Sequence, residues 1–253
     1  MRIDILTLFP GMFDGPMTES MLWKARDRSL LDLRLVDMRD FSSDKHRTVD
    51  DMPYGGGGGM VLRPDVVVYA VEAALAGAAP DTPVIFMSPQ GRMFSHRIAV
   101  ELAAQPHLVL LCGHYEGVDE RALDLVVTDE ISLGDYVLTG GELAAMVIVD
   151  AVVRHLPGVL GADGAADRDS HADGILEGPQ YTRPPEFRGL KAPDVLLEGD
   201  HQQMVRWRRT QALRRTWERR PDLLLTAKLS EDDRYQLADF AKEDARHRPL
   251  SAG

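Results

Sequence analysis

Several residue types and patterns are scarce in this chain, and each absence excludes a class of protein. The sequence has one cysteine, Cys112, so no internal disulfide can form. The longest apolar run, 143–153, is interrupted by Asp150 and falls short of the roughly 18–20 residues that a membrane span needs. The N-terminal residues alternate like a strand and show no signal-peptide pattern. A cytoplasmic protein without membrane contact is therefore expected.

Signatures of metal and nucleotide sites are missing as well. The histidines form no H-E-x-x-H or H-x-H pattern, and the chain has no C-x-x-C. Neither G-x-x-x-x-G-K-[ST] nor G-x-G-x-x-G occurs, so a nucleotide-binding hydrolase has little support. Cys112 ends an apolar run, which favours a small buried residue over a nucleophile. No metal site is predicted from these patterns.

Positive charge is distributed unevenly. A net charge of −11 argues weakly against a nucleic-acid partner, because phosphate binding depends on Lys and Arg. Between Asp200 and Arg220, however, the chain carries seven arginines and only two acids, with Trp207 and Trp217 among them. Genome composition explains much of the excess of arginine over lysine, although arginine also suits phosphate and planar groups better than lysine does. The two tryptophans lie on nearly one helix face, which favours packing over base stacking.

Hydrophobic periodicity predicts the fold class. Strand and helix patterns alternate up to about residue 160, which is typical of a mostly parallel α/β sheet covered on both faces. The predicted strands are 2–8, 31–38, 83–87, 108–111 and 126–131. The predicted helices are 18–28, 64–76, 95–105, 119–125 and 142–156.

The remaining residues differ in composition. Residues 161–177 are rich in Gly, Ala and Asp without a period, which indicates a mobile linker. Residues 178–253 are predicted to form a small, arginine-rich helical domain, with helices at 201–219 and 230–242. Four prolines oppose regular structure in 178–193, and the last ten or so residues have the pattern of a frayed tail. The predicted domains are therefore 1–160 and 178–253, joined by the linker.

Two loops rich in glycine follow predicted strands. Residues 112–117 read Cys-Gly-His-Tyr-Glu-Gly, and residues 132–141 read Ser-Leu-Gly-Asp-Tyr-Val-Leu-Thr-Gly-Gly. Glycine lets a backbone approach a ligand closely, and ligands of open α/β sheets bind at the carboxyl ends of strands. The loops predict a pocket for a small molecule with a flat ring and polar groups. The alternative is a pair of ordinary tight turns. The Gly55–Gly59 run likewise either cradles phosphates or is a merely permissive loop.

These loops and several further motifs resemble the bacterial tRNA (guanine-37-N1)-methyltransferases, a family of knotted methyltransferases. The likeness covers residues 1 to about 240. The further motifs are Phe-Pro-Gly-Met-Phe at 9–13, Pro-Tyr-Gly-Gly-Gly-Gly-Gly-Met at 53–60, Gly-Pro-Gln-Tyr-Thr-Arg-Pro at 178–184, Arg-Trp-Arg-Arg at 206–209 and Arg-Arg-Thr-Trp-Glu-Arg-Arg-Pro at 214–221. The resemblance implies a trefoil knot in the N-terminal domain, a homodimer with shared active sites, a tRNA substrate and S-adenosylmethionine as cofactor.

The implied reaction is methylation of N1 of the guanine 3′ of the anticodon. The resemblance assigns the general base to Asp169 and stabilisation of the guanine O6 to Arg154. Alternatives remain for both residues, since Arg154 ends a helix whose dipole favours a cation, and Asp169 lies in a polar segment. A free aspartate is a weak base at neutral pH, so the linker is expected to order and close over the site only when both substrates bind. A Mg²⁺ ion could assist proton removal, although no ligand cluster marks a site for it.

The resemblance also implies two sets of binding residues. Expected at the cofactor are Ser88, Pro89, Gly113, Tyr115, Glu116, Gly117, Leu133, Gly134, Asp135, Tyr136, Val137, Leu138, Gly140 and Gly141. Expected at the RNA are Arg183, Arg206, Arg208, Arg209, Arg214 and Arg215. Glu116 either faces the positive sulfonium or amino group of the cofactor or is an ordinary acid at a helix start.

The chain departs from the family pattern at three positions. His114 stands where arginine is common, Gly58 where alanine is usual, and His171 where phenylalanine is frequent. His171 could tune the base or touch RNA, although a solvent-facing side chain fits as well. Two other functions stay open, namely methylation of a different RNA and a catalytically silent RNA-binding protein that keeps the fold.

Overall fold

A five-stranded sheet, all of whose neighbouring strands run parallel, organises the first part of the chain. The computed structural model describes residues 1–161 and 164–247, and the chain divides into two units, Met1–Asp163 and Gly164–Gly253. The elements of the first unit are β1 (Arg2–Thr7), α1 (Ser20–Asp27), β2 (Asp32–Asp37), β3 (Asp50–Asp51), β4 (Val61–Leu62), α2 (Pro64–Ala74), β5 (Val84–Met93), α3 (His96–Ala103), β6 (His107–Cys112), α4 (Glu120–Val126), β7 (Asp129–Ser132) and α5 (Glu142–Val153). The predicted α/β class with a mostly parallel sheet is confirmed.

The strand order in the large sheet is β2-β1-β6-β5-β7. Successive side chains of a strand point to opposite faces, so each strand supplies two cores. Ile3, Ile5 and Leu110 pack with α1, α3 and α5 on one face. Leu6 and Leu111 pack with α2 and α4 on the other face. Burial on both faces explains why β6 is buried at every position and is apolar after His107.

The strand predicted at 126–131 is wrong at its start. Val126 is the last residue of α4, and the strand begins only at Asp129. The Asp119 carboxylate accepts a hydrogen bond of 3.0 Å from the backbone N–H of Arg121 and caps this helix. Capping and packing of Ala122 in the core outweigh the β propensity of Val126.

The second unit is mainly helical in its described residues. Its elements are a 3-10 helix (Ala166–Arg168), β8 (Glu186–Phe187), β9 (Leu190–Lys191), a 3-10 helix (Asp194–Leu196), α6 (His201–Arg219), a 3-10 helix (Pro221–Leu225) and α7 (Glu231–His247). Strands β8 and β9 form a short antiparallel pair inside the proline-rich stretch. Helix α7 runs beyond the predicted 230–242, and the rest of the predicted tail lies outside the described residues.

A small core joins the helices of the second unit. Ile175, Ala212, Leu213 and Phe240 are its buried members. Trp217 packs against them and donates a hydrogen bond of 2.8 Å from its indole N–H to Asp244. The predicted packing role therefore holds for Trp217. Trp207 lies outside this cluster, with its ring 6.2 Å from that of Tyr181.

Helix α7 starts with a reciprocal cap formed by Ser230 and Asp233. The backbone N–H of Asp233 donates to the Ser230 hydroxyl at 3.2 Å, and the N–H of Ser230 donates to the Asp233 carboxylate at 2.9 Å. Arg209 on α6 pairs with the same carboxylate at 2.8 Å. Hydrogen bonds from Arg209, and then from Ser230, lower the pKa of the buried Asp233 to about 2.

Acid should weaken this connection between α6 and α7. An unfolded aspartate has a pKa near ~3.9, so the stabilisation by Asp233 is complete above about pH 4 and is lost as the pH falls toward 2. We expect Asp233→Asn to lower the free energy of unfolding by about 2 kcal/mol at pH 7 and by much less near pH 2. Urea unfolding of the full chain at both pH values measures this. Asp232→Asn, at the exposed neighbouring position, should have little effect. An equal loss in both variants would contradict the assignment.

Candidate functional site

Three loops meet at one edge of the large sheet. Two of them follow β6 and β7, and the third is a bulge within β5, which lies between those two strands in the sheet. The pairing of β5 with β7 shifts register between Met87 and Arg92, so that residues 88–91 bulge from the ladder. This irregularity places Ser88 and Pro89 beside the two glycine-bearing loops.

The two glycine-bearing loops are bonded directly to each other. The N–H of Gly141 donates to the carbonyl of Gly113 at 2.9 Å, and His114 forms an isolated antiparallel bridge with Gly140. The first loop is also held from its other side, since the N–H of Glu116 donates to the carbonyl of Met60 at 3.0 Å. The sequence predicted each loop but not this connection between them.

Close packing explains the glycines of these loops. A Cβ on Gly141 would lie 2.7 Å from the Cα of Cys112, and a Cβ on Gly113 would lie 2.8 Å from the ring of Phe86. A Cβ on Gly134 would meet the Tyr136 ring at 2.5 Å. Side chains at these positions would clash with neighbouring atoms. This close packing favours a preformed binding site over two turns that merely tolerate glycine.

The loops enclose a cleft of about 170 Å³ that opens to solvent. Every predicted cofactor residue except Asp135 lines the cleft. Asp135 is exposed, because the turn at Gly134 carries its side chain toward solvent.

Several lining residues were not among the predicted cofactor residues. They are Phe86, Met87, His114, Ile131, Ser132, Thr139 and Ala144. Phe86 and Met87 lie in β5 just before its bulge, and Ile131 lies near the end of β7, so strand order and register would have been needed to predict them. The His114 ring lies 4.8 Å from Phe9 and 5.0 Å from Tyr115, measured between ring centroids.

The Gly55–Gly59 run connects β3 to β4. Gly55, Gly56, Gly57 and Gly59 all have positive φ, a region that L side chains rarely adopt. A Cβ on Gly59 would overlap the carboxylate of Glu116 at the rim of the cleft. The run therefore adjoins the cleft. Neither interpretation of the sequence had predicted this position.

A buried carboxylate lies beside the cleft. Glu142, the first residue of α5, is 1% exposed and accepts a hydrogen bond of 2.8 Å from the Thr7 hydroxyl. The neighbouring Cys112 thiol is fully buried, and burial followed by the Glu142 charge raises its pKa well above the ordinary value. An inert, protonated thiol agrees with the interpretation of Cys112 as a buried residue.

Arg154 and Asp169, the implied catalytic residues, lie in different units. Arg154 directly follows α5, and its N–H donates to the carbonyl of Asp150 at 3.4 Å. Asp169 directly follows the 3-10 helix Ala166–Arg168 and is half-buried. It lines a second cleft, of about 580 Å³, together with Glu177 and Arg208.

The segment after Asp169 contacts helix α6 within the second unit. The N–H of Leu176 donates to the Thr216 hydroxyl at 2.8 Å, and Asp173 pairs with Arg209 at 3.1 Å. His171 has a positive φ and an exposed side chain, which agrees with the solvent-facing interpretation. The mobility of 161–177 stays a prediction, and Ala162 and Asp163 lie outside the described residues.

The six arginines expected at RNA fall into two groups. Arg209, Arg214 and Arg215 have partners inside the second unit: Arg209 pairs with Asp233, Arg214 lies over the Phe240 ring at 3.7 Å, and Arg215 donates to the Glu177 carbonyl. Arg183, Arg206 and Arg208 are exposed. The exposed group is therefore the better candidate for contacts to phosphate.

Neither a metal site nor a membrane-spanning helix is found among the described residues. Within 1–161 and 164–247, no group of three or more His, Cys, Asp and Glu side chains is arranged to hold a metal ion. A Mg²⁺ ion therefore has no assigned site. Over the same residues, no helix combines the length and hydropathy needed to cross a bilayer.

Comparison with known proteins agrees with the motifs. Residues 1–226 match the family described as tRNA (guanine-1)-methyltransferase TrmD. A tRNA (guanine-N(1)-)-methyltransferase of Geobacillus kaustophilus is 56% identical over 243 residues, which are 96% of this chain and 99% of the relative. A protein of the same name from Moorella thermoacetica is 55% identical over 250 residues, 98% of this chain and 100% of the relative. The resemblance predicted from the motifs is thereby confirmed, and the chain belongs to the tRNA (guanine-1)-methyltransferase family.

Proposed function

We propose that this protein transfers a methyl group from S-adenosylmethionine to N1 of the guanine 3′ of the anticodon in tRNA. Membership of the family supports the reaction. The cleft between the two bridged glycine loops is the observation that assigns the proposed function to particular residues. Nearly all of the residues expected at the cofactor line this one cleft.

The residues of the cleft suit S-adenosylmethionine. Its adenine is an uncharged ring with polar edges, which backbone amides and carbonyls next to glycine can bind at close range. Leu133 and Leu138 pack against the core and present apolar surface toward the cleft. S-adenosylmethionine supplies a methyl group on a positively charged sulfur, so the protein need not activate the methyl donor.

The protein's chemical task is to prepare guanine N1. That nitrogen carries a proton in the neutral base and is a poor nucleophile. In the proposed mechanism the Asp169 carboxylate accepts the N1 proton, and the Arg154 guanidinium stabilises negative charge that grows on O6. The N1–CH₃ bond forms as the CH₃–S bond breaks, which leaves 1-methylguanine and S-adenosylhomocysteine.

Assembly also forms part of the proposal. The resemblance implies a homodimer in which residues of both chains complete each active site, and a trefoil knot in the first unit. A cytoplasmic location fits an enzyme of tRNA modification and is proposed with them.

Methyl transfer from labelled S-adenosylmethionine to unmodified tRNA tests the function. We expect 1-methylguanosine immediately 3′ of the anticodon, identified after nuclease digestion. Label in another RNA but not in tRNA would favour the alternative substrate. Cofactor binding without transfer to any RNA would favour a catalytically silent RNA-binding protein, and absence of cofactor binding would contradict the proposal altogether.

The exposed arginines yield a prediction about RNA affinity. We expect Arg208→Ala to weaken tRNA binding by roughly three- to tenfold and to reduce the slope of log affinity against log salt by about 1, because one phosphate contact is lost. Filter binding over a range of salt concentrations measures both. Arg219→Ala removes an exposed charge from the same helix and should change neither quantity much. Equal losses in the two variants would show a general charge effect.

A further inference from the structure

Glu142 is a buried acid that the proposed mechanism does not use. Its side chain is 1% exposed, at the start of α5, where the first turn follows directly from the glycine loop that ends at Gly141. The Thr7 hydroxyl donates to one carboxylate oxygen at 2.8 Å and accepts from the N–H of Phe9 at 2.9 Å. This carboxylate is therefore held in a fixed position by β1 and the loop after it.

The second carboxylate oxygen faces the junction of the two glycine loops. A Cβ on Gly140 would overlap Glu142 Oε2 and would lie 2.7 Å from His114 Nδ1. His114 Nδ1 is itself buried and has no hydrogen-bond partner among the described residues. Gly140 and His114 both line the cleft, whereas the Glu142 carboxylate lies behind the backbone of Gly140.

Glu142 adjoins two groups that suit a negative charge. A helix N-terminus and a hydroxyl donor both stabilise an anion. Throughout the part of the chain that the structure describes, neither Lys nor Arg forms an ion pair with Glu142. Burying a carboxylate is costly unless a partner offsets it, and a cation in the adjacent cleft would be such a partner.

We propose that Glu142 lets the cleft distinguish the cationic cofactor from its neutral product. This inference rests on the proposed function. The sulfonium of S-adenosylmethionine carries a positive charge, and the thioether of S-adenosylhomocysteine carries none. A carboxylate shielded from water attracts that charge more strongly than an exposed one such as Glu116, whose field is screened by solvent and salt. Glu142 therefore favours cofactor entry and product release.

The test is the ratio of two dissociation constants. Isothermal titration with S-adenosylmethionine and with S-adenosylhomocysteine gives both constants for the dimeric full-length protein. We expect Glu142→Gln to weaken binding of S-adenosylmethionine about tenfold relative to S-adenosylhomocysteine, which corresponds to ~1.4 kcal/mol. The rate of methyl transfer at saturating cofactor should not fall by the same factor as the affinity. The carboxylate stabilises the bound cofactor in the ground state and not specifically the transition state.

Two further variants distinguish an effect of the Glu142 charge from an effect on the local structure. Glu120→Gln makes the same change in the first turn of α4 at an exposed position and should leave the ratio unaltered. Thr7→Val removes the hydroxyl donor but keeps the carboxylate, so both ligands should weaken by similar factors. If Glu142→Gln weakens both ligands equally, the residue is only structural and the inference is wrong. If the unaltered protein binds neither ligand, the proposed function fails instead.

Discussion

Replacing Asp169 by asparagine is expected to lower kcat for tRNA methylation by about 10³-fold, which lies within the range for loss of a general base. Asparagine keeps the size of the side chain but cannot accept the N1 proton. The affinity for S-adenosylmethionine should stay within about twofold, because the cleft that we assign to the cofactor is formed by residues of the first unit alone. Single-turnover rates with saturating cofactor and tRNA give this number directly.

Asp167 offers a matched control two residues earlier. It belongs to the 3-10 helix Ala166–Arg168 and is exposed, whereas Asp169 is half-buried. Asp167→Asn makes the same chemical change in the same segment and should preserve at least half of the activity. Comparable losses in the two variants would mean that the negative charge of the segment matters, and that Asp169 is not the base.

A methyl group on Gly141 is expected to weaken cofactor binding by about 100-fold, or ~2.7 kcal/mol. In Gly141→Ala the new Cβ would lie 2.7 Å from the Cα of Cys112 and 3.0 Å from the Cβ of Met87. A backbone Cα cannot rotate away as a side chain can, so the loop itself must shift. That shift would stretch the hydrogen bond from Gly141 to Gly113, which joins the two halves of the cleft.

Gly58→Ala is the corresponding control in the glycine run. No atom lies within 4 Å of a Cβ built there, and its φ is outside the left-handed region. Cofactor affinity should be unchanged and the melting temperature equal or slightly higher, because alanine reduces the entropy of the unfolded chain. Unchanged affinity in Gly141→Ala would refute the assignment of the cleft to the cofactor.

Local sequence patterns predicted much of the fold. The predicted helix 201–219 agrees with α6 at both ends, since a polar amphipathic segment starts at the Asp200 cap and stops before a proline. The prediction of secondary structure failed where tertiary packing determines the conformation, as at Val126. The extension of β5 to Met93 was missed because it follows from pairing with β7 across a bulge.

The loops that line the cleft were predictable from the sequence, but their arrangement was not. Two glycine loops were evident from the sequence, whereas the bond between Gly113 and Gly141 depends on strand order, which periodicity does not contain. The pairing of Arg209 with Asp173 and Asp233 was missed for a similar reason. These partners are 36 and 24 residues away along the chain, so only the folded unit brings them together.

The glycine backbone that lines the cleft has a consequence for inhibition. A competitor that binds the amides and carbonyls of residues 113–117 and 133–141 would depend on few side chains. Resistance usually arises by changing a side chain that the inhibitor needs and the substrate does not. At Gly113 and Gly141 any added side chain would collide with the protein itself. A resistant variant at either position would lose cofactor binding along with inhibitor binding.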